Sequence, residues 1–337
     1  MHRGLPDPEE FIPLEQMANT VRATLHMGSY VDSQSIVQPL QVARHAKTPG
    51  TIVGPRLAPG IRSDLFVPNE AERQEYMTEE PDGTVITNRV RVTSMGSALY
   101  HAVTGRHLLR LGHEDIDSLH SDRASLQQTL SEVGYSSCVN KEQGKDSIRI
   151  SNPDSRNEFA NTRLYIAGAA SGPLIVKKMV EHGASFEGAK IWTPDLHTNP
   201  QAFRLDTPII DIENYQQLHA SVTALRRISA EEKLILKAPT YLGQRINNLP
   251  GVYLAQRDGT LSFNGDMSKM FGPAIQQAGE KVRLRAGDTL TDDAILDIAN
   301  DARKVAQQQT GRFDRDNGNH AFMTGQDVHS IMDAMNS

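Results

Sequence analysis

Several cations and one tyrosine fall on short apolar segments in the second half of the chain. Arg163 and Tyr165 are two apart in TRLYIAG, so a strand there sets them on one face. Lys190 sits in GAKIWTP, between small Ala189 and apolar Ile191-Trp192. Arg204 stands just ahead of the apolar run TPIIDI, and the stretch TYLGQRINNLPGVYLAQRDGTLSF adds Arg245 and Arg257. Little acidic company is expected around them. Guanidinium and ammonium groups converging on strands suit a phosphate or another anion. Exposed charges on strand faces would give the same pattern, and spacing alone leaves both readings open.

Other chemical signatures fail on inspection. The loop Gly168-Ala-Ala-Ser-Gly172-Pro173 joins a predicted strand to a predicted helix, where a phosphate could sit at the helix N-terminus. It lacks the spaced glycines of a dinucleotide fingerprint and the Gly-Lys-Ser/Thr of a Walker loop, so a plain helix start at Pro173 is the simpler reading. Gly183-Ala-Ser185-Phe-Glu187 lacks the second glycine of a nucleophile elbow. No histidine pair has zincin spacing, and His182 reads as a structural cation at a helix C-terminus. Cys138 has no histidine near it in sequence and reads as a small buried thiol. Asp314 to Gly318 resembles the start of a calcium loop. Counting from Asp314, however, position six is Asn319 rather than glycine and position twelve is Gly325 rather than glutamate. A capped turn before the last helix is expected there. No metal or cofactor is called for.

The elements that must carry these residues can be read coarsely. The 337 residues suggest about two domains. Residues 13–27 place Leu14, Met17, Val21 and Leu25 on one helical face, with Gly28 as a stop. Residues 29–65 are rich in Gln, Ser, Thr, Pro and Gly, with prolines at 39, 49, 55 and 59, so no regular element runs far there. Residues 1–65 are therefore expected to be a polar, weakly ordered leader with one short helix. Residues 66–150 read as a helical subdomain ending in a hairpin. Helices are expected around 69–77, over 97–111 and from a Ser121 cap to Gly134, with a strand over 84–92. The hairpin pairs YSSCVN with DSIRIS. Residues 151–337 read as an α+β domain. Its strands are expected at 162–168, 188–194 and 207–212, and its helices at 172–183 and 213–228. A hairpin of VYLAQ with TLSF should turn on Asp258-Gly259, and helices at 289–309 and 324–335 close the chain. Strands and helices without a βαβ cadence predict an α+β fold with a mixed or antiparallel sheet flanked by helices.

Composition narrows the function class. A net charge of −6 gives no basic face for nucleic acid. A single cysteine excludes an intramolecular disulfide. No apolar run reaches the ~18 residues of a membrane span, and the first 30 residues have no secretory h-region. A soluble protein folded in a reducing compartment is expected. Only 38% of residues are hydrophobic and 5% aromatic, so part of the chain is expected to be poorly ordered or to need a partner.

Five stretches resemble the HopA (HrmA-like) type III effector family of plant-associated bacteria. They are Arg163-Leu-Tyr-Ile, Ala189-Lys190-Ile-Trp-Thr-Pro194, Asp206 to Asp211, Leu249-Pro-Gly-Val-Tyr-Leu-Ala255 and His329-Ser-Ile-Met-Asp-Ala334. The resemblance spans roughly residues 95–337. It makes residues 1–65 an export leader open to a secretion chaperone. It also implies a protein held in the bacterial cytoplasm before export and then secreted into a host cell. The same domain is similar to the lyase component of class V lanthipeptide synthetases, and more distantly to bacterial phosphothreonine lyases.

That likeness implies β-elimination of phosphate from phosphothreonine or phosphoserine in a peptide. Lys190 occupies the position of the family's lysine and would be the base, since lysine among apolar and cationic neighbours can titrate nearer neutrality. Arg163, Arg204, Arg245 and Arg257 would hold the phosphate. Where the phosphothreonine lyases carry Lys-x-His, this chain has Arg163-Leu164-Tyr165. Tyr165 would be the weak acid or an orienting group, because a phenol with an ordinary pKa of about 10 is a poor acid at neutral pH. The alternatives are a non-catalytic effector that binds a phosphorylated or acidic host protein, and a lyase component of a lanthipeptide-type system. The partner expected in either effector case is a host phosphoprotein or phosphopeptide, with neither nucleic acid nor membrane.

Overall fold

The computed structural model describes residues 12–29, 56–57, 95–105, 113–140, 147–153, 162–193, 204–232, 234–236, 242–246, 248–256, 263–281 and 289–317. In chain order its elements begin with α1 (Leu14–Ser29), β1 (Arg56–Leu57), α2 (Met95–Val103), α3 (His113–Glu132), β2 (Ser136–Asn140), β3 (Ser147–Ser151) and β4 (Thr162–Ile166). They continue with α4 (Gly172–Glu181), β5 (Gly188–Trp192), β6 (Ile209–Ile212), α5 (Tyr215–Glu231), β7 (Gln244–Arg245) and β8 (Val252–Gln256). The last are α6 (Phe263–Lys281), β9 (Thr289–Leu290) and α7 (Asp292–Asn317). The expected helix at 69–77, strand at 84–92 and helix at 324–335 lie outside the described residues.

Two compact units result. The first holds α1, α2, α6, α7 and the parallel β1–β9 pair. Each of its four helices packs on two others: α1 on α2 and α7, and α6 on the same two. Their buried faces keep helical spacing, as in Met17, Val21 and Leu25 of α1 and Met267, Phe271, Ile275 and Ala278 of α6. The apolar face read from Leu14, Met17, Val21 and Leu25 is thus a wall of this unit. Helices α2 and α6 come very close: a Cβ built on Gly272 would lie 2.5 Å from Gly96 Cα, so two glycines permit backbone-on-backbone contact. Phe263, the last residue of the expected hairpin arm TLSF, opens α6, and the rest of that arm lies outside the described residues. Helix α7 runs through residues 313–317, where a capped turn was expected.

The second unit holds α3, α4, α5 and a seven-stranded sheet in the order β2-β3-β5-β6-β4-β8-β7. Every neighbouring pair is antiparallel, so the fold is α+β, as the element pattern predicts. The hairpin of β2 and β3 forms as expected. Helix α3 starts at His113, ahead of the Ser121 cap read from the sequence, and its end is marked by Gly134 with φ +84. One sheet face carries Ile148, Ile150, Ala189, Ile191, Ile210, Ile212, Leu164, Ile166, Val252 and Leu254, all buried. Helices α4 and α5 pack on β5 and β6, and α3 packs on α4 and β2. Among the described residues no helix is long and apolar enough to cross a membrane.

Candidate functional site

The register of the sheet decides what stands on its other face. Paired residues of neighbouring strands point the same way. Arg149 of β3 pairs with Lys190 of β5, Lys190 with Ile209 of β6, Ile209 with Tyr165 of β4, Tyr165 with Tyr253 of β8, and Tyr253 with Arg245 of β7. Cys138 of β2 pairs with Arg149 at the other end. One row therefore crosses all seven strands, on the face turned away from the apolar side chains. Two residues along each strand runs a parallel row containing Gly188, Asp211 and Arg163. Trp192, two residues beyond Lys190, shares that face with its partner Ser147.

Lys190 is half-buried, and its Nζ lies 3.7 Å from the centroid of the Trp192 ring. A cationic amine over an indole face is drawn by the ring quadrupole. The Arg204 Cζ stands 5.5 Å from the same ring. Lys190, Trp192 and Arg204 thus form one cluster, although 14 positions separate the lysine from the arginine.

Both inner arginines are answered by carboxylates. Arg204 is only 3% exposed; its Nε donates to Asp206 Oδ1 at 2.7 Å, and its NH2 donates to Asp206 Oδ2. Arg163 Nε donates to Asp211 Oδ1 at 2.5 Å. The expectation of little acidic company is corrected here: Asp206 and Asp211, on the segment that carries Arg204, neutralise a guanidinium each. Burial works against the Arg163 charge, and Asp211 and Tyr165 more than offset it, so its pKa stands above the ordinary arginine range.

Tyr165 is fully buried and interacts with Arg163, Arg204 and Asp206. Burial pushes its phenol up to about 12; Asp206 adds to the rise, and Arg163 and Arg204 oppose it. Its ring stacks on Tyr253, with centroids 4.9 Å apart and planes 4° apart. A phenol in this state keeps its proton at neutral pH. It can donate a hydrogen bond or orient Arg163.

The remaining predicted residues divide. Arg245 is exposed on the same face but four strands from Lys190, about 19 Å at the usual strand spacing. Arg257 lies outside the described residues. Cys138 is exposed, not buried, because β2 is an edge strand and Cys138 points away from the helices. The Gly168 loop offers no phosphate cradle. The N–H groups of Gly168, Ala169 and Ser171 donate to Thr207 O, Leu205 O and Gly168 O, and a Cβ on Gly168 would come within 2.4 Å of Ile175 Cδ1. That loop is a packed strand-to-helix corner. Among the described residues no group of His, Cys, Asp or Glu could hold a metal ion.

Reading the sequence missed Arg149. The alternation in DSIRIS marks a strand with Arg149 on the polar side, but only the pairing of β3 with β5 puts it opposite Lys190. It is exposed and has no carboxylate partner among the described residues.

No family model matches the chain, and no curated protein does. The solved structures that the chain weakly resembles include the effector protein from Pseudomonas syringae pv. syringae strain 61. The TM-score is 0.35 and the identity 13%, over 54% of this chain and 76% of that one.

Proposed function

We propose that this chain is a type III secreted effector of the HopA kind. In this reading the Lys190 face of its antiparallel sheet binds a phosphothreonine- or phosphoserine-containing peptide of a host protein. The effector part of the reading rests on the resemblance of the segments around Arg163, Lys190, Asp206 and Leu249. The binding part is carried by one observation: Lys190, Tyr165 and Arg163 share a face, joined by register across β5, β6 and β4. The ammonium of a half-buried lysine over an indole, backed by neutralised arginine–aspartate pairs, suits an anionic ester. Arg163 and Arg204 act by positioning: Arg204 sits against Trp192, and Arg163 beside Tyr165.

Elimination is the second reading, and the placement of an amine and a phenol in one register row favours it. Lys190 would take the Cα proton of the phosphorylated residue. The electron pair left behind forms the Cα–Cβ double bond, the Cβ–O bond breaks, and phosphate leaves with that bond's electrons. Tyr165, fully buried, would orient Arg163 rather than touch the substrate, and the departing phosphate would take its proton from water.

One experiment tests both. The full chain is incubated with a phosphothreonine peptide and its unphosphorylated twin, and both binding and peptide mass are followed. Selective binding without mass change supports the recognition reading. Loss of the elements of phosphoric acid, leaving a dehydro residue, supports elimination. Equal binding of the two peptides with no mass change refutes both.

A further inference from the structure

Arg149 and Lys190 are directly opposed cations on adjacent antiparallel strands. Their Cβ atoms are therefore about 5 Å apart, and like charges so placed oppose folding. Within that row Arg149 is flanked by Cys138 and Lys190, neither of them acidic. Arg163 and Arg204 are each neutralised by an aspartate, Asp211 and Asp206, whereas the exposed Arg245 of β7 has none among the described residues. The Arg149 guanidinium has no such partner among the described residues. Beside the pair, the Trp192 Nε1–H is buried with no acceptor among the described residues, and a buried donor left unmet costs stability.

We infer that Arg149 and Lys190 together seat the phosphate, with Trp192 as the third wall of that site. This rests on the phosphopeptide reading above and names its recognition residues. The ligand class is a phosphomonoester dianion bridging β3 and β5. Arg149 supplies a planar fork that can hold two phosphate oxygens, and Lys190 a point charge. Arg204 and Arg163 are engaged by their aspartates, and Arg245 is four strands away. The seat therefore lies on the β3–β5 side of the face and not at its middle.

The chain contains one tryptophan, so its emission reports on this site alone. The full chain is titrated with the phosphothreonine peptide and its unphosphorylated twin while Trp192 fluorescence is read. A saturable change is expected with the phosphopeptide only. Arg149→Gln should weaken binding by about tenfold or more, the loss of a charge-assisted bidentate contact. Arg149→Lys should fall between, keeping charge without the fork. Arg227→Gln, an exposed change on α5, should leave affinity unaltered. Circular dichroism should show native folding for all three.

If Arg149→Gln binds like the native chain while Lys190→Ala loses binding, Arg149 is not part of the seat and the phosphopeptide reading stands. If Arg149→Gln and Arg227→Gln weaken binding equally, the effect is diffuse charge and the inference fails. If the native chain does not distinguish the two peptides, both fall.

Discussion

Tyr253 is gripped on two sides: its ring stacks on Tyr165 at 4.9 Å, and the backbone of Gly243 presses against it from another direction. A Cβ at residue 243 would lie 1.9 Å from Tyr253 Cδ2, so even alanine forces the ring to move. Because Tyr165 interacts with Arg163 and Arg204, displacing its stacking partner disturbs the candidate site. Gly243→Ala should cost about 1–3 kcal/mol, the usual range for overpacking, and reduce phosphopeptide affinity together with stability. Thermal unfolding and binding measured on the same sample check this. A variant as stable as the native chain would contradict the tight contact.

Lys190→Arg separates recognition from chemistry. Arginine keeps the positive charge, so phosphopeptide binding should survive within a few-fold, while any dehydro product should vanish because a guanidinium is not a base near neutral pH. Lys190→Ala should lose both. Binding and peptide mass are read side by side.

Asp211→Asn releases Arg163 from its ion pair. The half-buried guanidinium then faces the site with its charge unanswered. Stability should fall by about 1–3 kcal/mol, as for loss of a hydrogen bond to a charged group. Phosphopeptide affinity should rise, since one more cation becomes available to the ligand. Denaturant melts and a binding titration give the two numbers. A drop in affinity would show that Arg163 needs Asp211 for its placement.

Alkaline titration tests the burial of Tyr165. Its folded pKa of about 12 lies above the ordinary value of 10.0, so the folded chain holds that proton more tightly than the unfolded one. The resulting stability is fully present below pH 10 and is lost as pH rises from 10 towards 12. It amounts to roughly 2–3 kcal/mol at about 1.4 kcal/mol per unit. Tyr165→Phe should flatten this part of the stability–pH curve, measured by denaturant melts across the range.

Gly272→Ala should destabilise the helical unit by about 1–3 kcal/mol, because the added methyl meets the Gly96 backbone with no flexible side chain to yield. Phosphopeptide affinity measured well below the melting temperature should be unchanged, since the sheet forms a separate compact unit.

Much of the sheet is legible in the residues. TRLYI, GAKIW and IIDI are β-branched, apolar and short, and each becomes a strand. The shared face of Arg163 and Tyr165 follows from their spacing of two. Two other things depend on register, which local pattern does not encode. One is the approach of Arg149 to Lys190. The other is the pairing of Arg163 with Asp211, 48 positions away. Helix α6 is hidden for a different reason. Gly272 and Pro273 lie inside it, and the close crossing with Gly96 accounts for a glycine there. Cys138 reads as buried because thiols usually are, whereas its place on an edge strand is a property of strand order.

Arg22 of α1 donates to Asp292 of α7 across 270 positions of sequence. The segment expected to serve as an export leader therefore also supplies a wall of the folded helical unit. Cutting it away to study the rest would strip the apolar flanks of α2 and α7 bare. During synthesis α1 can meet α2 early but must wait for nearly the whole polypeptide before α7 exists. Until then the flank of α1 that meets α7 has nothing to pack on.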